Sequence, residues 1–256
     1  MPSPIVTLTT DWGEGSFFAG MVKGRLHSTI QDVRVVDVTH GLHPFDLVAA
    51  SFVIRNACLG FPPGTVHIID VLSEEQPGQV FVAVSYHSQY FLCTNNGLPY
   101  TLFGRDYEKS VQIAAARPPD IGNFAAFNIF CPAAAKLAAG AKLDDLGDDV
   151  PLLERRLQLY MVIGDTIKTH AWHIDSYGNV YLDIRYDELM RELGDRRFEL
   201  NYRGVRINDI QPSYKTCEHP SLVVSATGYM EIAMYKQRVA DMLGMPLYTI
   251  VDITKK

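Results

Sequence analysis

Several signatures of familiar protein classes are missing from this sequence. The four cysteines, Cys58, Cys93, Cys131 and Cys217, lie far apart, without the close pairs of zinc sites or the density of a disulfide-stapled secreted domain. No apolar run reaches the length of a membrane span, and the first residues lack a basic segment followed by a long apolar stretch. We therefore expect buried, reduced thiols, no membrane partner and a cytoplasmic location.

Positive charge is also scarce. The chain has 23 Lys and Arg against 29 Asp and Glu, a formal net charge of −6, and the basic residues are scattered. A nucleic-acid-binding surface needs a positive patch to meet phosphates. The sequence thus argues against nucleic acid as a partner.

The usual nucleotide, hydrolase and metal fingerprints are absent as well. There is no GxGxxG, GxxxxGK[ST], GxSxG or HExxH. None of the histidines has a metal-ligand spacing, and His170 and His173 flank Trp172 in a strand-like run, which indicates sheet residues. We expect neither a metal nor a cofactor.

What the first half does contain is an alternation of strands and helices. Pro4–Thr9, Val33–Val38 and Thr65–Val71 are short β-branched runs, and the segments between them have helical spacing. Such alternation favours an α/β fold with a largely parallel sheet. His87 and Ser88 separate two further strands, as in a hairpin, and another helix is predicted from Pro132 to about Ala139.

After an acidic stretch the pattern changes to short strand-like runs with turn residues between them, from Leu159 onward. This indicates an antiparallel, β-rich second domain. We place the α/β domain at residues 1–152 and the second domain at residues 153–256.

Asp11 is the first candidate for a functional side chain. It follows the first predicted strand in Thr9-Thr10-Asp11-Trp12-Gly13, and open α/β sheets bind ligands at the carboxyl ends of their strands. A carboxylate accepts two hydrogen bonds at once, as the vicinal hydroxyls of a sugar offer. The alternative is a turn or helix-capping aspartate.

A second candidate is the segment around Gly178, which joins Asp175, Tyr177 and Asn179. An aromatic face and an amide suit an adenine, although a β-turn chosen for the backbone freedom of its residues is the alternative. Asn95-Asn96-Gly97 is first of all a turn signal.

The order of the motifs carries a resemblance to a known family. In sequence the chain contains TLTTDWG, VVDVTH, HPFD, FPPGTVHI, NNG, IFCPAAAKLAAG, IDSYGNV and GYMEIA. Together they resemble the S-adenosylmethionine hydroxide adenosyltransferase family, which is related to fluorinases and chlorinases. The resemblance implies an α/β domain, a smaller antiparallel β-barrel-like domain, and a homotrimer whose ligand sites lie between subunits.

The resemblance also implies roles for single residues. Asp11 would hold the ribose hydroxyls, and Phe45 would lie beside the sugar. Asp175 would face the amino acid part of the ligand, while Tyr177 and Asn179 would contact the adenine. Ser73 and Asn96 complete the substrate-binding candidates.

Three positions depart from the family pattern. The Asp, Arg and His that the resemblance expects to manage the attacking water are replaced by Leu72, Gln79 and Ala125. Leucine and alanine cannot transfer protons. Glu74, or less favourably Glu75, in the rewritten loop is a candidate replacement base, with a solvated acidic loop as the alternative.

The methionine end of the ligand site departs from the family pattern too. The positions concerned are Ser16, Ala226-Thr227 and Tyr235-Lys236.

The implied chemistry is cleavage of S-adenosylmethionine to adenosine and methionine by water attacking the ribose C5′ carbon. The chain lacks the insertion that halogenases carry before NNG, which favours the hydroxide-using branch. A non-catalytic adenosine-binding protein and an enzyme for another adenosyl substrate remain open alternatives.

Overall fold

The computed structural model of the protein describes residues 3–74, 78–114, 123–155 and 160–256. The chain divides into two compact units, Met1–Arg156 and Leu157–Lys256, and each has its own hydrophobic core. Among the described residues, no helix is long and apolar enough to cross a membrane.

A six-stranded sheet forms the centre of the first unit. Its strands are β1 (Ile5–Thr10), β2 (Arg34–Thr39), β3 (Val66–Asp70), β4 (Phe81–Tyr86), β5 (Gln89–Thr94) and β6 (Lys109–Gln112). Their order is β2-β1-β3-β5-β4-β6, in which β2, β1, β3 and β5 are mutually parallel and β4 is antiparallel to both of its neighbours. The carboxyl ends of the four parallel strands therefore meet at one edge.

The helices of this unit begin at residues that the sequence marks clearly. They are α1 (Phe17–Thr29), α2 (Leu47–Ala57), α3 (Leu98–Phe103) and α4 (Cys131–Ala138). Asp46 caps α2 by accepting hydrogen bonds from the backbone N–H groups of Val48 and Ala49, at 3.0 and 2.9 Å. A side-chain cap of this kind satisfies N–H groups that have no partner within the helix.

Both faces of the sheet are covered, which explains the nearly continuous apolar strands. Val6 and Leu8 of β1 face the core that contains Leu26 of α1, whereas Ile69 of β3 faces the core that contains Ile54 of α2. Full burial of such a side chain contributes roughly 1.5–3 kcal/mol. Helix packing on both faces thus determines toward which face of the sheet each side chain at the end of a strand points.

An antiparallel sheet of eight strands forms the second unit. Its strands are β7 (Met161–Ile163), β8 (Thr166–Ile174), β9 (Val180–Arg185), β10 (Phe198–Tyr202), β11 (Val205–Ile207), β12 (Ser221–Val224), β13 (Tyr229–Ala233) and β14 (Ile250–Lys255). The order is β11-β10-β14-β8-β9-β13-β12, with β7 on β8. Ile210, just after β11, bridges to Leu222 of β12, so the sheet is nearly closed into a barrel.

The fold class predicted from the sequence is confirmed: a largely parallel α/β sheet is followed by an antiparallel, barrel-like sheet. The hairpin at His87 and Ser88 is also present, and both residues have the positive φ that a tight two-residue turn requires. The described cysteines are buried and unpaired, as expected.

Some elements differ from the sequence-based expectation. The segment predicted as a helix from Pro132 begins at Cys131, directly after a π-helical turn at Ala126–Phe130. Two further helices, α5 (Tyr186–Leu193) and α6 (Val239–Leu243), lie in the part predicted as β-rich. The Asn-Asn-Gly turn leads into α3, with Gly97 at φ +95°.

Candidate functional site

Asp11 connects the tip of β1 to the loop before α2. Its Oδ2 atom accepts a hydrogen bond from the backbone N–H of Phe45 at 2.8 Å. Phe45 adopts a positive φ of 67°, and its ring is 58% exposed. An ionised carboxylate has about four acceptor sites, so this single bond leaves capacity for ligand hydroxyls.

Asn96 holds the loop that follows β3. Its Nδ2 atom donates to the backbone carbonyls of Val71 and Leu72, both at 3.2 Å, and its Oδ1 accepts from the N–H of Leu98 at 3.1 Å. Leu72 has a φ of +50°, a strained value for a leucine. The Asn96 side chain thus stabilises the unusual backbone of this loop.

Ser73 and Glu74 occupy the described end of the same loop. The Ser73 hydroxyl donates to the carbonyl of Val71 at 3.4 Å, and Glu74 is exposed. Glu75, the second candidate base, lies outside the described residues.

A polar cluster that the sequence pattern did not reveal lies at the neighbouring strand tips. The indole N–H of Trp12 donates to Oδ2 of Asp70 at 3.0 Å, and the Trp12 ring stacks on His40 with 5.6 Å between centroids. His40 Nδ1 lies 2.8 Å from the hydroxyl of Thr10. The sequence held a signal, because β1 and β2 are each followed by a polar residue and β3 ends in one, Asp70.

Ala125 occupies the position where the resemblance expects a histidine. It is 2% exposed and packs in the core beside Phe124, whose ring contacts that of Trp12 at 5.4 Å between centroids. A buried methyl group at this position offers no proton-transfer chemistry.

Within the second unit a pocket of about 630 Å³ opens beside the turn between β8 and β9. It is lined by Asp175, Ser176, Tyr177, Asn179, Tyr181, Tyr214, Met234, Tyr235, Lys236, Gln237 and Arg238. The structure thus brings the predicted residues Asp175, Tyr177 and Asn179 together on one pocket wall.

Asp175 organises the turn that presents the other two residues. Its Oδ1 accepts from the backbone N–H groups of Tyr177 and Asn179, both at 2.9 Å, and its Oδ2 accepts from the Asn179 amide at 3.2 Å. The Tyr177 ring is 76% exposed, whereas Asn179 is buried. The turn therefore offers an open aromatic face above a fixed amide.

Gly178 allows a neighbouring segment to approach this turn closely. It has a φ of +81°, and an added Cβ would lie 2.6 Å from Cβ and 2.7 Å from Cα of Arg238. The carbonyl of Gly178 accepts from the N–H of Ala240 at 2.9 Å, and Arg238 Nη1 donates to the carbonyl of Ser176 at 2.7 Å. Only glycine combines this backbone conformation with this contact.

Glu231 lies beneath the pocket, and the sequence pattern did not reveal it either. It is fully buried, and its Oε2 accepts from the Tyr214 hydroxyl at 2.8 Å. Burial raises the pKa of Glu231 to about 7, against the lowering effect of hydrogen bonding by Tyr214, Tyr181 and Asn179. Burial likewise raises the pKa of Tyr181 to about 12, and the nearby Glu231 raises it further.

In the described part of the chain, no group of three or more His, Cys, Asp or Glu side chains converges on a site for a metal ion.

The fold and the pocket together define the class of protein. An open α/β sheet comes first in the chain, and an antiparallel, barrel-like sheet with a pocket lined by aromatic and amide side chains follows it. The SAM hydroxide adenosyltransferase N-terminal domain matches residues 6–147, and the C-terminal domain of the same family matches residues 169–251. The chain belongs to the S-adenosylmethionine hydroxide adenosyltransferase family, which confirms the resemblance found in its motifs.

Two similar proteins of nearly the same length have the same name. A protein from Methanocaldococcus jannaschii named (R)-S-adenosyl-L-methionine hydrolase is 21% identical over 261 residues, covering 97% of this chain and 95% of that protein. A protein of the same name from Salinispora tropica is 27% identical over 263 residues, covering 95% of both chains.

Solved structures share the fold. A conserved, uncharacterized protein from Thermotoga maritima has a TM-score of 0.87 at 21% identity, covering 98% of this chain and 99% of that one. A conserved hypothetical protein from Thermus thermophilus has a TM-score of 0.72 at 22% identity, covering 99% and 100%.

Proposed function

We propose that this protein cleaves S-adenosylmethionine with water to give adenosine and methionine. The observation that carries this function is the family match across both units, together with the relatives named (R)-S-adenosyl-L-methionine hydrolase. The two-residue hairpin before Asn96 leaves no room for a halogenase-type insertion, which supports water rather than halide as the nucleophile.

The binding roles follow the chemistry of the side chains. Asp11 accepts hydrogen bonds from the ribose hydroxyls, with Phe45 beside the sugar. Tyr177 and Asn179 contact the adenine, and Asp175 faces the amino acid part. Ser73 and Asn96 border the sugar through the loop after β3, and no cofactor takes part.

The reaction is an in-line displacement. A water oxygen forms a bond to C5′ while the C5′–sulfur bond breaks. The electron pair of the broken bond stays on the sulfur, which changes the positively charged sulfonium into the neutral thioether of the leaving methionine. Because the leaving group is a neutral thioether, no acid is needed on that side. The protein supplies alignment, a dry site and removal of one proton from the water.

Glu74 is our candidate for the base, since Leu72 and Ala125 cannot accept a proton. Glu74→Gln should slow adenosine formation by at least about tenfold, because general bases commonly contribute that much or more. The exposed Glu218 provides the matched control as Glu218→Gln. An unchanged rate in Glu74→Gln would remove this residue from the mechanism and turn attention to Asp70, which Trp12 holds at the tip of β3.

We also propose that the protein works in the cytoplasm as a homotrimer, with each adenosyl group bound between the N-terminal domain of one subunit and the C-terminal domain of its neighbour. Buried, unpaired cysteines suit a reducing compartment. Light scattering coupled to size-exclusion chromatography tests the trimer, and a monomer at micromolar concentration would contradict it.

The activity itself is tested by incubating the protein with S-adenosylmethionine and separating the products by chromatography. Adenosine and methionine should form in equal amounts. A flat adenosine trace from about pH 6 to about pH 9 would contradict the proposal.

A second candidate function is binding of adenosine without turnover, which the replacements at Leu72, Gln79 and Ala125 favour. Titration calorimetry and the chromatographic assay together separate the two functions, because a protein that only binds shows saturable adenosine affinity in the first and forms no adenosine in the second. A third candidate, another adenosyl substrate, is favoured by Tyr235 and Lys236, which line the pocket at the altered methionine end.

A further inference from the structure

Asp11 lies between residues that are all held by one buried histidine. His40, which directly follows β2, is 6% exposed, and its Nδ1 atom lies 2.8 Å from the hydroxyl of Thr10. The Trp12 ring stacks on the His40 ring, with 5.6 Å between centroids and 10° between planes. The N–H of Gly13 donates to the His40 carbonyl at 2.8 Å. His40 therefore holds the chain on both sides of Asp11.

The position of His40 is defined by two carboxylates. Its Nε2 atom lies 3.2 Å from Oδ1 of Asp37, although these atoms are not aligned for a hydrogen bond, and its backbone N–H donates to Oε1 of Glu14 at 3.3 Å. A carboxylate beside Nε2 favours a hydrogen on that nitrogen, which leaves Nδ1 to accept from the Thr10 hydroxyl. Since Thr10 and His40 are both buried, loss of one partner leaves the other unpaired.

The side chain of Asp11 is held separately from its neighbours. Its Oδ2 atom accepts from the N–H of Phe45 at 2.8 Å, whereas the backbone on either side of Asp11 is held through His40. A carboxylate binds two hydroxyls of a sugar only when both of its oxygens are well placed, because hydrogen bonds weaken steeply with misalignment. The placement of the Asp11 carboxylate thus depends on the backbone that carries it.

We propose that His40 is a positioning residue, which places the Asp11 carboxylate for the two ribose hydroxyls through the Thr10 hydroxyl and the Trp12 ring. This inference rests on the proposed function, because it assumes that Asp11 binds the ribose. The His40 ring is buried against Trp12 and acts on the ligand only through these neighbours.

A second bond of the same kind in β1 provides a matched control. The hydroxyl of Thr7 lies 2.7 Å from Nδ1 of His67, and both residues are fully buried. Thr7 lies near the middle of β1, whereas Thr10 ends the strand next to Asp11. Valine has nearly the shape of threonine but no hydroxyl, so Thr7→Val and Thr10→Val each leave a buried histidine without its partner. Only Thr10→Val does so beside Asp11.

The test is titration calorimetry of adenosine and 2′-deoxyadenosine with the wild type, Thr10→Val and Thr7→Val. The ratio of the two affinities measures how well the site binds the 2′-hydroxyl. This ratio should fall by at least about threefold in Thr10→Val, because a displaced carboxylate loses most of a well-aligned hydrogen bond. It should stay unchanged in Thr7→Val.

A merely structural role for His40 would lower the free energy of unfolding in both variants and leave the ratio of affinities unchanged, which would overturn the inference. If Thr10→Val fails to fold, His40→Asn and His40→Leu carry the test. The two replacements are similar in size, but only the asparagine amide can hydrogen-bond to the Thr10 hydroxyl. His40→Asn should keep a ratio closer to that of the wild type, and equal ratios in the two variants would contradict the inference.

The wild type separates this inference from the proposed function. A wild type that binds neither nucleoside, or that binds both equally, would refute the proposed ribose site at Asp11 and the inference with it. A wild type that prefers adenosine, together with a Thr10→Val variant that keeps this preference in full, would refute only the role of His40.

Discussion

The backbone N–H of Phe45 donates to Oδ2 of Asp11 at 2.8 Å, which joins the tip of β1 to the loop before α2. One carboxylate thus shapes a loop with a positive φ at Phe45 and retains acceptor sites for a sugar. The ribose-binding role proposed for Asp11 depends on this double use.

Replacement of Asp11 tests that role. Asp11→Ala should lower adenosine affinity by at least about tenfold, because charge-assisted hydrogen bonds to two hydroxyls are lost. Calorimetry measures the affinity, and 2′-deoxyadenosine separates the causes. If Asp11 binds the ribose diol, the variant should discriminate less between adenosine and 2′-deoxyadenosine than the wild type does. Undiminished discrimination would mean that Asp11 only shapes the loop.

The close approach at Gly178 gives a second prediction. Gly178→Ala should lower the free energy of unfolding by about 1–3 kcal/mol, since alanine is strained at φ +81° and its Cβ meets Arg238 backbone. Gly164→Ala is the matched control: it has φ +58° in the same unit, but nothing lies within 4 Å of the added Cβ.

Chemical denaturation measures both variants, and adenosine titration shows whether the pocket survives. We expect Gly178→Ala to be the more destabilised variant and to bind adenosine more weakly. Equal losses in the two variants would show that the contact with Arg238 is unimportant.

The buried His67 should make the free energy of unfolding of the first unit depend on pH. It is fully buried, with Nδ1 2.7 Å from the Thr7 hydroxyl, and burial lowers its pKa to about 4. Below about pH 6.5 the unfolded chain takes up a proton that folded His67 does not accept until about pH 4. The free energy of unfolding should therefore fall as the pH drops through this window, by up to about 3 kcal/mol.

Urea denaturation from pH 7 to pH 4 measures this slope. It should become shallower in His67→Gln, which cannot take up the proton, and stay as in the wild type in the exposed control His27→Gln. Parallel slopes for the wild type and His67→Gln would contradict the assignment.

The proposed binding of each ligand between two subunits gives a fourth prediction. Asp11→Ala and Asn179→Ala should each be inactive alone, whereas mixed trimers isolated through both tags should regain about one third of the wild-type sites, because in a trimer with both subunit types one of the three contacts joins an intact Asp11 to an intact neighbouring Asn179. Coexpression with two different tags, followed by tandem purification and an adenosine assay, measures the recovery. An absence of recovery in verified mixed trimers would argue for sites within one subunit.

The sequence predicts those features that depend on neighbours along the chain. The β-branched run at Pro4–Thr9 indicates strand β1, which is found at Ile5–Thr10, and Asp46 caps α2 as its position suggests. Helix α5 lies in a part predicted as β-rich; Glu188 accepts a hydrogen bond from the N–H of Arg185 at its start, but an arginine is not one of the short polar residues that mark a helix start in a sequence.

Contacts between distant residues cannot be predicted in this way. Asn96 donates to the carbonyls of Val71 and Leu72 across a sheet edge, and the buried Glu231 accepts from the Tyr214 hydroxyl of a separate segment. Sequence patterns report periodicity and local turn chemistry, whereas these hydrogen bonds depend on strand order and on segments brought together by the fold.

Attack of water on the ribose C5′ carbon of S-adenosylmethionine is the step on which the proposed function depends. A reaction run in oxygen-18 water, with adenosine analysed by mass spectrometry, reports on this step without any variant. We expect one oxygen-18 atom in the adenosine, at the 5′ position, and none in the methionine. Adenosine without the label, or with the label at another carbon, would refute water attack at C5′.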